Sequence, residues 1–230
     1  MTMNRRDFLR MSAALTAAGM SPSLFAATKE QFTIYGAPAM PSVTIAVAAA
    51  QGKLAKQADV ALEIWRSPDQ LRAGVASGQF KVMMSPSNVG VNLRNQGQQV
   101  GMVNILTNGI TQLMCKSTPI TSPQELVGKK ILVPFKNDMP DIVLQALLKK
   151  LNIDINKVDI TYAATPTEAI GLFLLKDFHA AILPEPMASA VVLKAKIVGT
   201  EIVRGFDLVK EWGQAFNTKP LIPMAGIIAN

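Results

Sequence analysis

From Gln31 onward the chain alternates short β-type runs with helical runs, and this alternation restricts it to an α/β fold with mainly parallel strands. "QFTIYG" reads as a strand, and "PSVTIAVAAAQGKL" as a helix entered through Pro41 and capped by Ser42. "VALEIWR" is the next strand, and "SPDQLRAGVASG" is a helix with Ser67 as N-cap, Pro68 in its first turn and Gly78 as its stop. "FKVMMS", "PSNVGVNLRNQG" and "QVGMVNIL" continue as strand, short helix and strand. After Ser117 the text becomes a polar connection and a one-turn helix begun by Ser122 and Pro123, which leads into a second α/β block. There "NDMPDIVLQALLKKLNI" places Leu144, Leu147, Leu148 and Leu151 on one face and Asp141, Gln145 and Lys149 on another, the pattern of a helix packed on a sheet. "KVDITYA", "TPTEAIGLFLLKD" with Thr165 as cap, "FHAAILP" and "EPMASAVVLKA" repeat the strand and helix order. The expected division is a first lobe over 28–116, a second lobe over 117–215 and a return strand over 216–230, with the hinge near Lys116 to Pro123.

The start of the chain does not belong to this pattern. "NRRDFLRMSAALTAAGM" sets Arg5, Arg6 and Arg10 before an apolar run from Met11 to Met20, about half the length needed to cross a bilayer. A basic head, a short apolar middle, Pro22, and small residues at Ala26 and Ala27 form the layout of an export signal over 1–27. Its paired arginines match the twin-arginine address, so the expected location is the periplasm, with no stable insertion in the membrane. The single cysteine, Cys115, lies far from any lipidation position and forbids an internal disulfide; in "TQLMCKS" it reads as a small buried residue. Of the net charge of +7, the segment 1–27 supplies +2. The remaining cations are scattered and form no stripe for nucleic acid.

Catalytic chemistry has few residues to use. His179 is the only histidine, at the head of an apolar strand, which is more often a structural place than a catalytic one. One cysteine and one histidine exclude a zinc site built from those ligands, and neither a P-loop nor a nucleophile-elbow pattern occurs. No metal, cofactor or catalytic set is expected. Binding is better supported, because open α/β sheets take ligands beyond the carboxyl ends of their strands, where helix N-termini open into a cleft. The candidates at such exits are Gly36, Pro38 and Ser42 after the first strand, Ser85, Ser87 and Asn88 in "MSPSNVG", and Asn108 in "LTNGIT". In the second block they are Asn137 and Asp138 in "VPFKNDMPD", and Glu185 in "LPEPMAS". Tyr35, Trp65 and Phe135 stand near strand ends, where core packing competes with stacking on a ring.

"ITSPQELVGKKILVP" followed by "TPTEAIGLFLLKDFHAAILPEPMASAV" resembles the second lobe of periplasmic solute-binding proteins of the nitrate, sulfonate and taurine importers, a fold group shared with thiamine-pyrimidine binders. The texture is S-P-x-E-L-x-G-K before a strand, then a helix leading to an A-A-I-L-x-E-P strand and turn; the resemblance extends from about Gln31 to Ile202. It implies two lobes joined by crossing strands, a small organic solute as ligand and an ABC permease in the inner membrane as partner. Such proteins continue well past the return strand, whereas this chain stops at "LIPMAGIIAN", leaving a truncated sequence or a shortened member as the two expectations. Asp138, Asp141 and Glu185 oppose an anion at the second-lobe helix starts, with Lys136 as a partial offset. A sulfonate is therefore expected on the first-lobe serines and Asn88, and an amine or amidine on the second-lobe acids. The alternatives are a pyrimidine-type binder or related pyrimidine-synthesis enzyme using His179, and an exported sensor or adaptor subunit.

Overall fold

The computed structural model describes residues 31–52 and 58–230, so the export segment over 1–27 lies outside the described residues. The strands are β1 (Gln31–Gly36), β2 (Asp59–Ile64), β3 (Val82–Pro86), β4 (Gly101–Asn108), β5 (Thr111–Lys116), β6 (Lys130–Pro134), β7 (Asp159–Ala163), β8 (Ala180–Pro184), β9 (Ile202–Arg204) and β10 (Pro223–Ala229). The helices are α1 (Pro41–Ala50), α2 (Pro68–Ala76), α3 (Ser87–Asn95), α4 (Met139–Lys150), α5 (Pro166–Leu175), α6 (Met187–Ile197) and α7 (Leu208–Phe216).

Two five-stranded sheets result, ordered β2-β1-β3-β10-β4 and β7-β6-β8-β5-β9. The two orders are equivalent. In each, four strands run in one direction, three of them adjacent as the strand and helix alternation requires, and one antiparallel strand is inserted between the third and the last. The inserted strands are the ones that cross between lobes. β5 follows β4 after only Gly109 and Ile110, yet it pairs with β8 and β9 of the second sheet. β10 returns after α7 to lie between β3 and β4 of the first.

The passage between lobes therefore lies at Gly109–Ile110 and at 217–222, not at the hinge expected near Lys116 to Pro123. "TQLMCK" in 111–116 belongs to the second sheet rather than to the first lobe. The sequence conceals this because β5 is apolar and short, and only its partners reveal its lobe. The two crossings touch: the Gly109 N–H donates to the Ile222 carbonyl at 2.9 Å. Around them Met139, Val143, Ile222 and Met224 form a small apolar cluster, with Ile110, Val209 and Trp212 packed on it.

Local rules place the helices. Ser67 Oγ accepts from the Gln70 N–H at 3.2 Å to start α2, and Thr165 Oγ1 accepts from the Glu168 N–H at 3.1 Å to start α5. The Glu168 carboxylate reaches back to the Ala164 N–H at 2.8 Å, close to a capping box. In the second lobe the period of two divides β5, β6 and β8 between two cores. Leu113, Cys115, Ile131, Val133, Ala180 and Ile182 face Leu144, Leu147 and Leu148. Met114, Leu132, Ala181 and Leu183 face Ala169, Ile170, Phe173, Ala188 and Val191. The first lobe has one core, in which Leu71, Val75, Val89 and Leu93 pack on Ile34, Met83, Met84 and Ile228. In the second-lobe core Cys115 is fully buried, as its sequence context suggests, and burial pushes its thiol up.

One sequence expectation fails inside α4. Asp141 does not face solvent: it is fully buried and accepts from the Asn137 N–H at 2.8 Å, Gln145 Nε2 at 2.8 Å and Tyr162 Oη at 3.0 Å. It holds the Phe135–Asp138 turn against the helix, and burial together with this carboxylate pushes the Tyr162 hydroxyl up to about 12.

Gly109 has φ +60, and a Cβ there would collide with Val209 Cγ2, whereas Gly97, at φ +88, has open space around it. Gly97→Ala should cost about 1 kcal/mol from backbone strain alone, and Gly109→Ala about 2 kcal/mol or more because the collision adds to it. Urea unfolding of both variants checks this; equal losses would mean that the crossing yields without cost.

Candidate functional site

The carboxyl ends of β1, β3, β6 and β8 point toward the junction of the lobes, and nearly all of the candidate residues lie there. Their local roles differ from a uniform set of free hydrogen-bonding groups. Ser42 does not cap α1: the N-cap is Met40, and Ser42 is buried in the first turn. Its Oγ donates to the Ala37 carbonyl at 2.6 Å and lies 3.6 Å from Met84 Sδ, so it ties the β1 exit to the end of β3. Gly36 is needed by this closure, because a Cβ there would stand 2.7 Å from Ser42 Oγ and 2.8 Å from Ile64 Cδ1. Pro38 and Ser42, with Ala37, Met40 and Ile64, form one wall of an open cleft of about 330 Å³. Pro186 and Met187 of the second lobe form the opposite wall, and the lining is almost wholly apolar.

Next to this cleft lies a polar cluster that spans the lobes. Asp138, N-cap of α4, is 1% exposed, and its Oδ1 accepts from the Met139 N–H at 2.9 Å. Arg72 of α2 comes from the other lobe and stands 3.5 Å from Asp138 Oδ2 while pairing with Asp69 at 3.1 Å. Ser87 Oγ donates to the Pro223 carbonyl at 2.7 Å and lies 3.8 Å from Met139 Sδ. Among the described residues, the buried side-chain polar atoms without a hydrogen-bond partner are Asn88 Nδ2 and Oδ1, Thr111 Oγ1 and Asp138 Oδ2. All belong to this end of the sheets: Asn88 opens α3 after β3, Asp138 follows β6, and Thr111 begins β5 opposite Pro184. Asp138 Oδ2 still meets Arg72 at 3.5 Å and the Asn88 amide lies against the Asp138 carboxylate, so these groups are weakly paired rather than free; a buried polar atom left fully unpaired costs on the order of 1–3 kcal/mol.

Glu185 is committed elsewhere. Its Oε1 takes Arg204 Nη2 at 2.7 Å, and its Oε2 accepts from the Ser189 N–H at 3.1 Å and Ser189 Oγ at 2.8 Å. Burial pushes this carboxyl up, but those bonds outweigh it and hold it below the usual range. The remaining candidates do not converge. Ser85 is buried and donates to the Pro86 carbonyl at 3.0 Å. Asn108 is exposed at the crossing opposite Pro223, and Asn137 is exposed at φ +59, using its backbone rather than its amide. Tyr35 stacks on Phe80 with centroids 3.6 Å apart, and the buried Trp65 donates its indole N–H to the Met84 carbonyl at 2.9 Å, so both serve packing. Lys136 stands over the Tyr162 ring, 5.2 Å from its centroid.

His179 lies at the amino end of β8, the end away from the cleft. Its Nδ1 accepts from the Lys130 N–H at 3.0 Å, extending the pairing of β8 with β6. The reading of an enzyme that uses this histidine loses its geometric basis. Sequence reasoning missed Arg72, Met40, Thr111, Pro186 and Met187. Arg72 sits in an ordinary polar helix stretch, and nothing local signals a partner 66 positions away.

Burial pushes the Asp138 carboxyl up, and the Asn88 amide, the Met139 N–H and Arg72 offset this only in part. The folded state thus favours the protonated form, and that contribution is fully present below the ordinary value of 3.8 and lost as pH rises through the raised one. The melting temperature of the wild type relative to Asp138→Asn should fall with rising pH in the window just above 3.8. Parallel profiles for the two proteins would contradict the assignment.

Comparison with known proteins places this geometry. The family described as NMT1/THI5 like matches residues 40–217, and the twin-arginine translocation pathway signal sequence matches residues 2–22, which directs export to the periplasm. No curated protein sequence matches the chain closely enough to be called a relative. Among solved structures, the periplasmic aliphatic sulphonate binding protein SsuA from Escherichia coli superposes with a TM-score of 0.67 at 16% identity, covering 87% of this chain and 65% of that one. An ABC transporter protein from Parabacteroides distasonis gives 0.63 at 18% identity, covering 88% and 66%. A histidine kinase sensor domain with similarity to periplasmic binding proteins gives 0.58 at 13%, covering 88% and 83%. The chain thus spans about two thirds of the length of the first two, and at these identities the likeness is one of fold. With two strand-exchanged lobes, an export signal and a profile match over most of its length, the chain belongs to the NMT1/THI5-like family and has the periplasmic-binding-protein fold.

Proposed function

We propose that this protein is the periplasmic substrate-binding component of an ABC importer, which captures a small organic solute between its lobes, hands it to an inner-membrane permease and leaves its bonds unchanged. The observation that carries this reading is the gathering of incompletely paired buried polar atoms of Asn88, Thr111 and Asp138 at the junction of the lobes. Beside them the apolar walls at Pro38, Met40, Pro186 and Met187 supply burial for a ligand body. Closure brings the two walls together and removes water from both the apolar and the polar part of the guest.

The charge arrangement favours one ligand class over another. Arg72 is already shared by Asp69 and Asp138, and Arg204 is held by Glu185, so a sulfonate, nitrate or taurine-like acid would have to draw a guanidinium away from a carboxylate. A compact heterocycle bearing an amine or amidine competes with no carboxylate: Asp138 Oδ2, which Arg72 meets only at 3.5 Å, accepts from it, and Asn88 offers both a donor and an acceptor. The pyrimidine-type alternative is therefore the better fit to this cleft.

Isothermal titration of the exported protein against aminopyrimidines, taurine, alkanesulfonates and nitrate tests the reading. Heat is expected with the aminopyrimidines, and Asn88→Ala should weaken that binding about 10- to 100-fold with the fold retained. Absence of heat with all four classes, or an Asn88→Ala protein of unchanged affinity, would overturn it.

A further inference from the structure

The pole of the second lobe farthest from the cleft carries a surface that solute capture does not use. α5 and α6 each follow a strand of the parallel set, so both run back from the cleft and end side by side at this pole. α6 is apolar on two faces. One packs inward through Ala188, Val191 and Ala195, and the other leaves Leu193 66% and Ile197 86% exposed, one turn apart. Val198 at the end of α6 is 55% exposed and Leu175 at the end of α5 is 80% exposed, so four aliphatic side chains stand in water at one end of the lobe.

Cations surround them. Lys194 and Lys196 occupy the last turns of α6, and Lys176 follows Leu175; all three are exposed. Lys116 adds a fourth charge, anchored by donation to the Lys176 carbonyl at 2.6 Å and by the Phe173 ring 5.5 Å away. Asp177, beside Lys116, and Glu201, whose carbonyl takes the Ser117 N–H next to Lys116, are the acids placed here by contact, so the four lysines leave a net positive charge among the named groups.

We propose that this pole docks on an anionic phospholipid surface, with Leu175, Leu193, Ile197 and Val198 entering the headgroup layer while the lysines meet lipid phosphates. Lysine is depleted from the centres of protein interfaces, where aromatic side chains and arginine dominate. Neither an aromatic ring nor an arginine is among these exposed side chains. Aliphatic side chains interspersed with lysine instead match the composition of helices that lie in a charged bilayer interface. Export through the inner membrane brings the protein to such a surface, and docking there would keep it close to the bilayer while the cleft stays free. The proposal does not rest on the identity of the solute.

Co-sedimentation of the protein recovered from the periplasm with phosphatidylglycerol-containing vesicles, and with vesicles of phosphatidylcholine alone, is the test. Binding is expected to the anionic vesicles, to fall steeply at high salt, and to be much weaker on the neutral ones. Lys194→Gln and Lys196→Gln should each reduce it about fivefold, following about 1 kcal/mol per lysine. Leu193→Ser with Ile197→Ser should reduce it at least tenfold, with an unchanged circular-dichroism melt showing that the lobe is intact. Equal binding by wild type and variants, or no binding to anionic vesicles, would overturn the proposal. So would a concentration-dependent dimer, abolished by the serine pair, in place of vesicle binding.

Discussion

The exchange of one strand between the two lobes is the constraint on which the rest of the molecule depends. β5 leaves the first lobe after two residues to become an interior strand of the second sheet, and β10 returns to become an interior strand of the first. Removing either would break a sheet in its middle rather than at its edge. Because the crossings are hydrogen-bonded to each other at Gly109 and Ile222 and share a small apolar cluster, the lobes have a common axis instead of a loose tether. Rotation about that axis preserves both sheets while changing only what happens where the strand ends face each other.

At those facing ends the protein accepts an energetic cost. Carboxylates elsewhere are well satisfied: the buried Asp141 has three donors, and the half-buried Glu185 has an arginine and a serine. The polar atoms of Asn88, Thr111 and Asp138 are as dry but incompletely paired, Asp138 Oδ2 meeting Arg72 only at 3.5 Å, and burial pushes the Asp138 carboxyl up. In the proposed site a basic guest completes bonds that the protein leaves weak, whereas an acidic guest has to compete with carboxylates for both nearby arginines. The proposed preference for an amine or amidine rests on this asymmetry more than on cleft size.

Much of the fold was legible because it rests on local rules. β1 spans the residues expected from its sequence, Ser67 and Thr165 cap their helices, and α4 presents the leucine face its spacing requires. The candidate site was legible only as a region of the fold. Strand exits named Pro38, Ser87, Asn88 and Asp138 together with residues that do other work: Ser42 bonds back to its own loop, Glu185 is clamped by Arg204, and Asn108 and Asn137 face solvent. Short polar side chains at helix starts have several partners within reach, and sequence spacing does not choose among them.

By itself the sequence determined the export address, the α/β class and the boundaries of most elements, because these follow from hydrophobic period, capping and turn chemistry within a few residues. Only the tertiary structure decided which lobe owns "TQLMCK", that Asp141 is a buried anchor, and that Arg72 meets Asp138. Each of these depends on pairing between segments distant in the chain, where the deciding energy is desolvation and contact in three dimensions, which local pattern does not encode.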